Sequence, residues 1–143
     1  MRSTILLVTL FVIISTLFSH SNGQKGCVKL PSGKNSTMPQ MNSVCFVVPV
    51  SSGSSGATTF NYNIDIDSND FYGIYVGTTT SKNNKCNNNN FNPIDKGLGP
   101  GHVNVNSTSE PLPKGSRAAY MIACDNQTQP CNIEIVGGTV CYQ

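Results

Sequence analysis

The stretch Arg117–Tyr142, RAAYMIACDNQTQPCNIEIVGGTVCY, constrains the chain more than any other. Two apolar runs rich in β-branched residues flank Asp125–Pro130, a segment of turn formers, which reads as a loop between strands. If the two runs form an antiparallel hairpin, setting Cys124 opposite Cys131 puts Ile122 against Ile133 and Tyr120 against Ile135. Side chains alternate along a strand, so all six then share one face. The other face receives Ala119 with Val136, Met121 with Glu134, and Ala123 with Asn132, a more polar set. A slip by one residue would bring Glu134 and Asn132 opposite aliphatic positions. The register therefore predicts a Cys124–Cys131 disulfide. Gly137-Gly138 is expected to end the strand, leaving Thr139–Tyr142 as a short final one. A helix is excluded by Pro130, the paired glycines and the absence of an i, i+3, i+4 apolar stripe.

The cysteines extend this reading. Six are present, Cys27, Cys45, Cys86, Cys124, Cys131 and Cys141, and all follow an N-terminal segment with the features of a secretory signal. In that segment Arg2 supplies the positive end. Ile5–Phe18 is an apolar run too short to span a bilayer, and Ser21 and Gly23 are small residues suited to cleavage before Gln24. Residues 1–23 are thus expected to be a signal peptide, and 24–143 a single secreted β domain with no membrane span. An even cysteine count in an oxidising compartment implies three disulfides. Apart from Cys124–Cys131, the pattern leaves the pairing open. A zinc site is disfavoured, because no CxxC occurs and the chain after residue 23 has a single histidine, His102.

The remaining segments repeat the β pattern. Val44–Val50, VCFVVPV, is a nearly continuous apolar run expected to be buried on both faces, with Pro49 at an edge or bulge. Phe60, Tyr62, Ile64 and Ile66 alternate with Asn61, Asn63, Asp65 and Asp67, the signature of a strand with one wet face. Phe71–Val76 returns after a Ser68-Asn69-Asp70 turn. Gly77–Gly101 has no period and contains the Asn-rich tract NNKCNNNNFN, so it reads as a long loop tethered by Cys86. His102–Asn106 alternates again. Gln24–Asn42 reads as an extended arm. This predicts an all-β fold: an antiparallel β-sandwich or jelly roll of about six to eight short strands, stapled by disulfides.

Removing Arg2 with the signal leaves eight basic residues against seven acidic ones, and no basic cluster, so nucleic acid is not an expected partner. Asn35, Asn106 and Asn126 each open an N-x-S/T sequon and are expected to carry N-glycans. Asp65, Asp67, Asn69 and Asp70 place oxygen ligands along one strand face and its turn. They begin like an EF-hand loop, but Asp70 stands where that loop needs glycine and Val76 where it needs glutamate. A looser, weak calcium site is the cofactor reading they leave open. Phe71 and Tyr75 offer an aromatic platform of the kind sugars stack on, with Asn61, Asn63, Asp65 and the Asn-rich tract as polar flanks. No nucleophile elbow, metalloprotease motif or phosphate loop is present.

These readings converge on a secreted, N-glycosylated, non-enzymatic protein whose expected partners are glycans or cell-surface proteins. Two alternatives remain open at this level. One is a small secreted glycoside hydrolase, for which nothing selects a carboxylate pair. The other is an inhibitor or signalling ligand acting through residues 77–101.

Overall fold

The computed structural model describes residues 26–30, 32–50, 56–83 and 85–143; the expected signal peptide and its cleavage site lie outside them. Among the described residues nine strands occur in order: β1 (Cys27–Lys29), β2 (Lys34–Met38), β3 (Ser43–Val47), β4 (Phe60–Asp67), β5 (Tyr72–Thr79), β6 (Phe91–Leu98), β7 (Val103–Thr108), β8 (Arg117–Cys124) and β9 (Cys131–Tyr142). They form two antiparallel sheets. Sheet A runs β1-β9-β4-β7, with β2 pairing the first half of β9 beside β1; sheet B runs β3-β8-β5-β6. The molecule is a disulfide-stapled β-sandwich, with one strand more than the sequence suggested.

The alternation read from the sequence decides what fills the core. On β4, Phe60, Tyr62, Ile64 and Ile66 are all buried, while Asn63 is exposed on the opposite face. On β5, Tyr72, Ile74 and Val76 point inward to meet them. Tyr120, Ile122 and Cys124 of β8, together with Cys131, Ile133 and Ile135 of β9, complete one continuous apolar cluster. Burial of apolar surface between two half-wet sheets drives such a layering.

The hairpin, however, is not formed. β8 pairs with β3 and β5 in sheet B, and β9 pairs with β1, β2 and β4 in sheet A. The six residues expected to share one hairpin face do share the core, but they meet across the sandwich rather than side by side. Period-two alternation specifies which face is buried. It does not specify whether the facing strand is a hydrogen-bonded neighbour or a member of the other layer. Residues 125–130 therefore make an arch between sheets.

Gly137-Gly138 does not end a strand, because β9 runs through it for 12 residues. Its register against β4 shifts, Asp65 pairing with Gly137 and Ile66 with Ile135, so Val136 is the extra residue of a β-bulge. Without that bulge, a strand burying Ile133 and Ile135 would turn Val140 and Tyr142 outward; with it, both halves of β9 face the core. The Val44–Val50 run is not buried on both faces: β3 is an edge strand, and Val44 and Phe46 remain 41% and 38% exposed. Gly77–Gly101 is not one long loop. β5 continues to Thr79 and β6 occupies Phe91–Leu98, with a register shift between Val76 and Gly77. That shift, with Pro93 and Gly97, hides the strand from a search for strict alternation. The expected arm at residues 24–42 contributes β1 and β2, whose partners lie on β9.

Candidate functional site

The described residues between β5 and β6, 80–83 and 85–90, are anchored at several points. The Arg117 guanidinium donates to the carbonyls of Ser81 and Asn83. Lys85 bridges to Phe46 on the open edge of β3, and Cys86 is bonded to Cys45. The asparagines then build their own turn. Asn90 Oδ1 accepts from the Asn87 amide at 2.9 Å and from Thr79 Oγ1 at 3.3 Å, and Asn87 Oδ1 accepts from the Asn89 amide at 3.0 Å. Short polar side chains that satisfy backbone donors locally favour such turns. Residues 85–92 of the Asn-rich tract are thus a folded structure held to sheet B.

Beside it lies a recess of about 230 Å³, lined by Met41, Asn42, Ser43, Tyr75, Asn88, Met121, Ala123, Cys124 and Asp125. It adjoins a second recess of about 400 Å³ through Ser43 and Asn88, the latter lined also by Cys45, Cys86, Asn87 and Asn89. Together they reach the size range of small-ligand sites. The floor follows from the register. Tyr75 pairs with Met121 and Gly73 with Ala123, and the side chains of Tyr75, Met121 and Ala123 point away from the core residues Tyr72, Ile74 and Ile122. The Tyr75 ring lies over Gly73: a Cβ built there would fall 2.6 Å from Tyr75 Cε2. Glycine at 73 is therefore what lets the ring lie down against the sheet. Burial raises the Tyr75 hydroxyl pKa, and the nearby Asp125 carboxylate raises it further.

Of the two aromatics selected from the sequence, only Tyr75 lines this recess. Phe71 stands just before β5, 61% exposed, with its carbonyl accepting from the Asp125 amide at 2.9 Å. The polar flanks divide too. The Asn-rich tract contributes Asn88. Asn61, Asn63 and Asp65 lie on the outer face of sheet A, on the opposite side of the molecule, and are not part of this site. Met41, Asn42, Met121 and Asp125 were not singled out by sequence. Their signal was positional: each flanks a strand end or faces outward on β8, visible once the pairing of β8 with β3 and β5 is known.

The residues read as calcium ligands are spread along β4 of sheet A and the turn that follows it. Asp65 Oδ1 accepts from Asn104 Nδ2 at 2.7 Å and lies 3.4 Å from His102 Nε2. Asp70 ties down the arch, Oδ2 accepting from the Asn132 amide at 2.8 Å and Oδ1 from Gln129 Nε2 at 3.1 Å. Asp67 is paired across the strands with Glu134, and both line a recess with Asn35, Ser68, Asn69 and Asn132. Among the described residues, no three His, Cys, Asp or Glu side chains are gathered as a metal site would need.

Asn35 lies exposed on β2 and Asn106 exposed on β7, while Asn126 sits in the arch. Asn126 Oδ1 accepts from the Thr128 amide and hydroxyl, both at 3.0 Å. The six cysteines form Cys27–Cys141, Cys45–Cys86 and Cys124–Cys131. Among the described residues, no helix is long and apolar enough to cross a membrane.

No family model matches the chain, and no curated protein matches it. Among solved structures, the chain is similar to the Yersinia pseudotuberculosis-derived mitogen, with 11% identity and a TM-score of 0.43, over 83% of this chain and 87% of that one. A likeness at that distance says nothing of function.

Proposed function

We propose that this is a secreted, N-glycosylated binding protein without enzymatic activity, which holds a glycan of cell-surface material in the recess on sheet B. The observation that carries the reading is the Tyr75 ring laid over Gly73, flanked by Asn88, Asn42 and Asp125. A sugar presents CH groups on one face and hydroxyls around its rim. The ring accepts the first, and amide and carboxylate oxygens accept from the second. Three disulfides fit the oxidising compartment in which such a ligand is met.

The test is binding of the secreted, unreduced protein to a broad glycan and polysaccharide array, with calcium and with chelator. Binding is expected in both conditions, since the aspartates of sheet A lie away from the recess. Tyr75→Ala should abolish it without lowering the melting temperature much, and Phe71→Ala should leave it nearly intact. Loss on chelation would move the site to sheet A. Release of reducing sugar, lost in Glu134→Gln, would replace the reading with a hydrolase built on the Asp67–Glu134 pair. No binding at all would overturn it.

A further inference from the structure

Unpaired strand edges are templates for association, and proteins blunt them with lysine, proline, bulges or a covering segment. Most edges of this sandwich carry such a device. β3 is covered by the Lys85 bridge and the Cys45–Cys86 bond. β6 contains Pro93 and Lys96 and a break in register. β1 ends in Lys29 and β2 begins with Lys34. β7 differs. Its sequence, VNVNST, has no charge and no proline, and its register with β4 is unbroken from Val103 to Thr108. It contains instead the sequon Asn106-Ser107-Thr108, with Asn106 exposed on the outer face.

We propose that an N-glycan on Asn106 is the edge guard of β7, and that a chain lacking it pairs along β7 with a second copy of itself. The strand is self-complementary. An antiparallel twofold through Val105 sets Asn104 of each copy opposite Asn106 of the other, amide against amide, with no charge opposed. Asn104 Nδ2 is engaged by Asn63 and Asp65 of β4, while Asn106 Nδ2 donates to Asn104 Oδ1 and Asn106 Oδ1 is left to accept from a facing strand. Glycan transfer joins Asn106 Nδ2 to the anomeric carbon of a lipid-linked oligosaccharide diphosphate. The nitrogen loses one proton, and the anomeric carbon–oxygen bond breaks to release the lipid diphosphate. One N–H remains for Asn104, while the sugar occupies the space a second strand would need.

The proposal rests on the secretory route proposed above, so occupancy and association are measured separately. Protein secreted from a eukaryotic host is analysed by peptide mass spectrometry at Asn106 and by sedimentation over a concentration series. Wild type is compared with Asn106→Gln and Asn106→Lys, and thermal melting checks that both variants fold. The expected result is an occupied, monomeric wild type and a Gln variant self-associating roughly tenfold or more tightly. The Lys variant, bare of glycan but charged at the edge, should stay monomeric. A Gln variant as monomeric as wild type overturns the proposal, and so do Gln and Lys variants that associate alike. A secreted wild type bare at Asn106 overturns it alone; a chain retained unmodified in the cytosol overturns it together with the secretory reading.

Discussion

Cys124 closes β8 and Cys131 opens β9, consecutive strands of different sheets, and the bond between them spans the sandwich with their Cα atoms 5.6 Å apart. Cys27–Cys141, by contrast, joins directly opposed residues of neighbouring strands within sheet A. The two bonds close loops of very different length, with sequence separations of 7 and 114.

That difference predicts an order of stability. On the chain-entropy account, a short loop of this kind restricts the unfolded chain by about 2.5 kcal/mol, and one of more than a hundred residues by about 5 kcal/mol. Replacing Cys27 and Cys141 by alanine should therefore destabilise the protein more than replacing Cys124 and Cys131. Urea unfolding of the two double variants measures this directly. The reverse order would mean that the arch is held by its bond enthalpically, through the sheet-to-sheet packing it enforces.

Tyr142 gives a second prediction. Its side chain is buried, and its hydroxyl donates to the Val48 carbonyl at 2.8 Å while accepting from the Ala118 amide at 3.0 Å. One oxygen thus ties the end of β9 in sheet A to the backbone entering β8 and leaving β3 in sheet B. Tyr142→Phe keeps the ring but strands a buried donor and a buried acceptor. It should cost about 1–3 kcal/mol in urea unfolding. A cost near zero would show that water replaces the hydroxyl there.

The sequence carried the layers but not their connections. The alternation of Phe60–Asp67 named the core face of β4 correctly, because one buried face and one wet face leave a periodic trace. The same rule applied to Tyr120–Cys124 and Cys131–Ile135 found buried residues and the right disulfide, yet assigned a hairpin where an arch exists. Local pattern encodes burial, whereas strand partnership depends on competition among all nine strands. β6 was missed because its inward side is built from Gly97 and Asp95 rather than from large apolar residues. Asp95 accepts a 2.9 Å hydrogen bond from Tyr62 across the sandwich, so a polar residue stands at a core-facing position. The recess on sheet B was half legible: Tyr75 and the Asn-rich tract stood out, but Asp125 and Met121 join them only through the arch and the β5–β8 register.

Gly77 and Gly137 predict opposite outcomes for the same substitution. A Cβ on Gly77 would fall 2.1 Å from the Asn92 carbonyl oxygen and 2.8 Å from Pro93 Cα, both backbone atoms of the adjacent strand. A Cβ on Gly137 would meet nothing nearer than Ser32 Cβ at 3.9 Å. Gly77→Ala must push β6 away from β5 and should destabilise by about 1–3 kcal/mol, while Gly137→Ala should change stability by no more than about 0.5 kcal/mol. Equal effects in thermal melting would contradict the close approach of β6 at the bulge.

The tyrosines set a limit at high pH. Burial pushes the Tyr62 hydroxyl up to about 12, and the hydrogen bond it donates to Asp95 and that carboxylate's charge act in the same direction. Tyr72 is also pushed up to about 12, by burial first and by the Asp67 charge second. Tyr75, Tyr120 and Tyr142 are raised as well, burial being the leading cause for each. The ionised form of tyrosine is the charged one, so each folded phenol holds its proton where an unfolded one, near 10, has lost it. Between those values the folded state binds more protons than the unfolded state, and stability falls as pH rises. For Tyr62 and Tyr72 the contribution is whole below pH about 10 and is lost on the way to about 12. A titration followed at the phenolate absorbance should therefore stay nearly flat through pH 10 and then rise in one cooperative step. That step should coincide with loss of the near-ultraviolet dichroism, because ionisation and unfolding are one event. A gradual titration of all five tyrosines near pH 10, with the dichroism intact, would mean that their hydroxyls are hydrated in the folded protein.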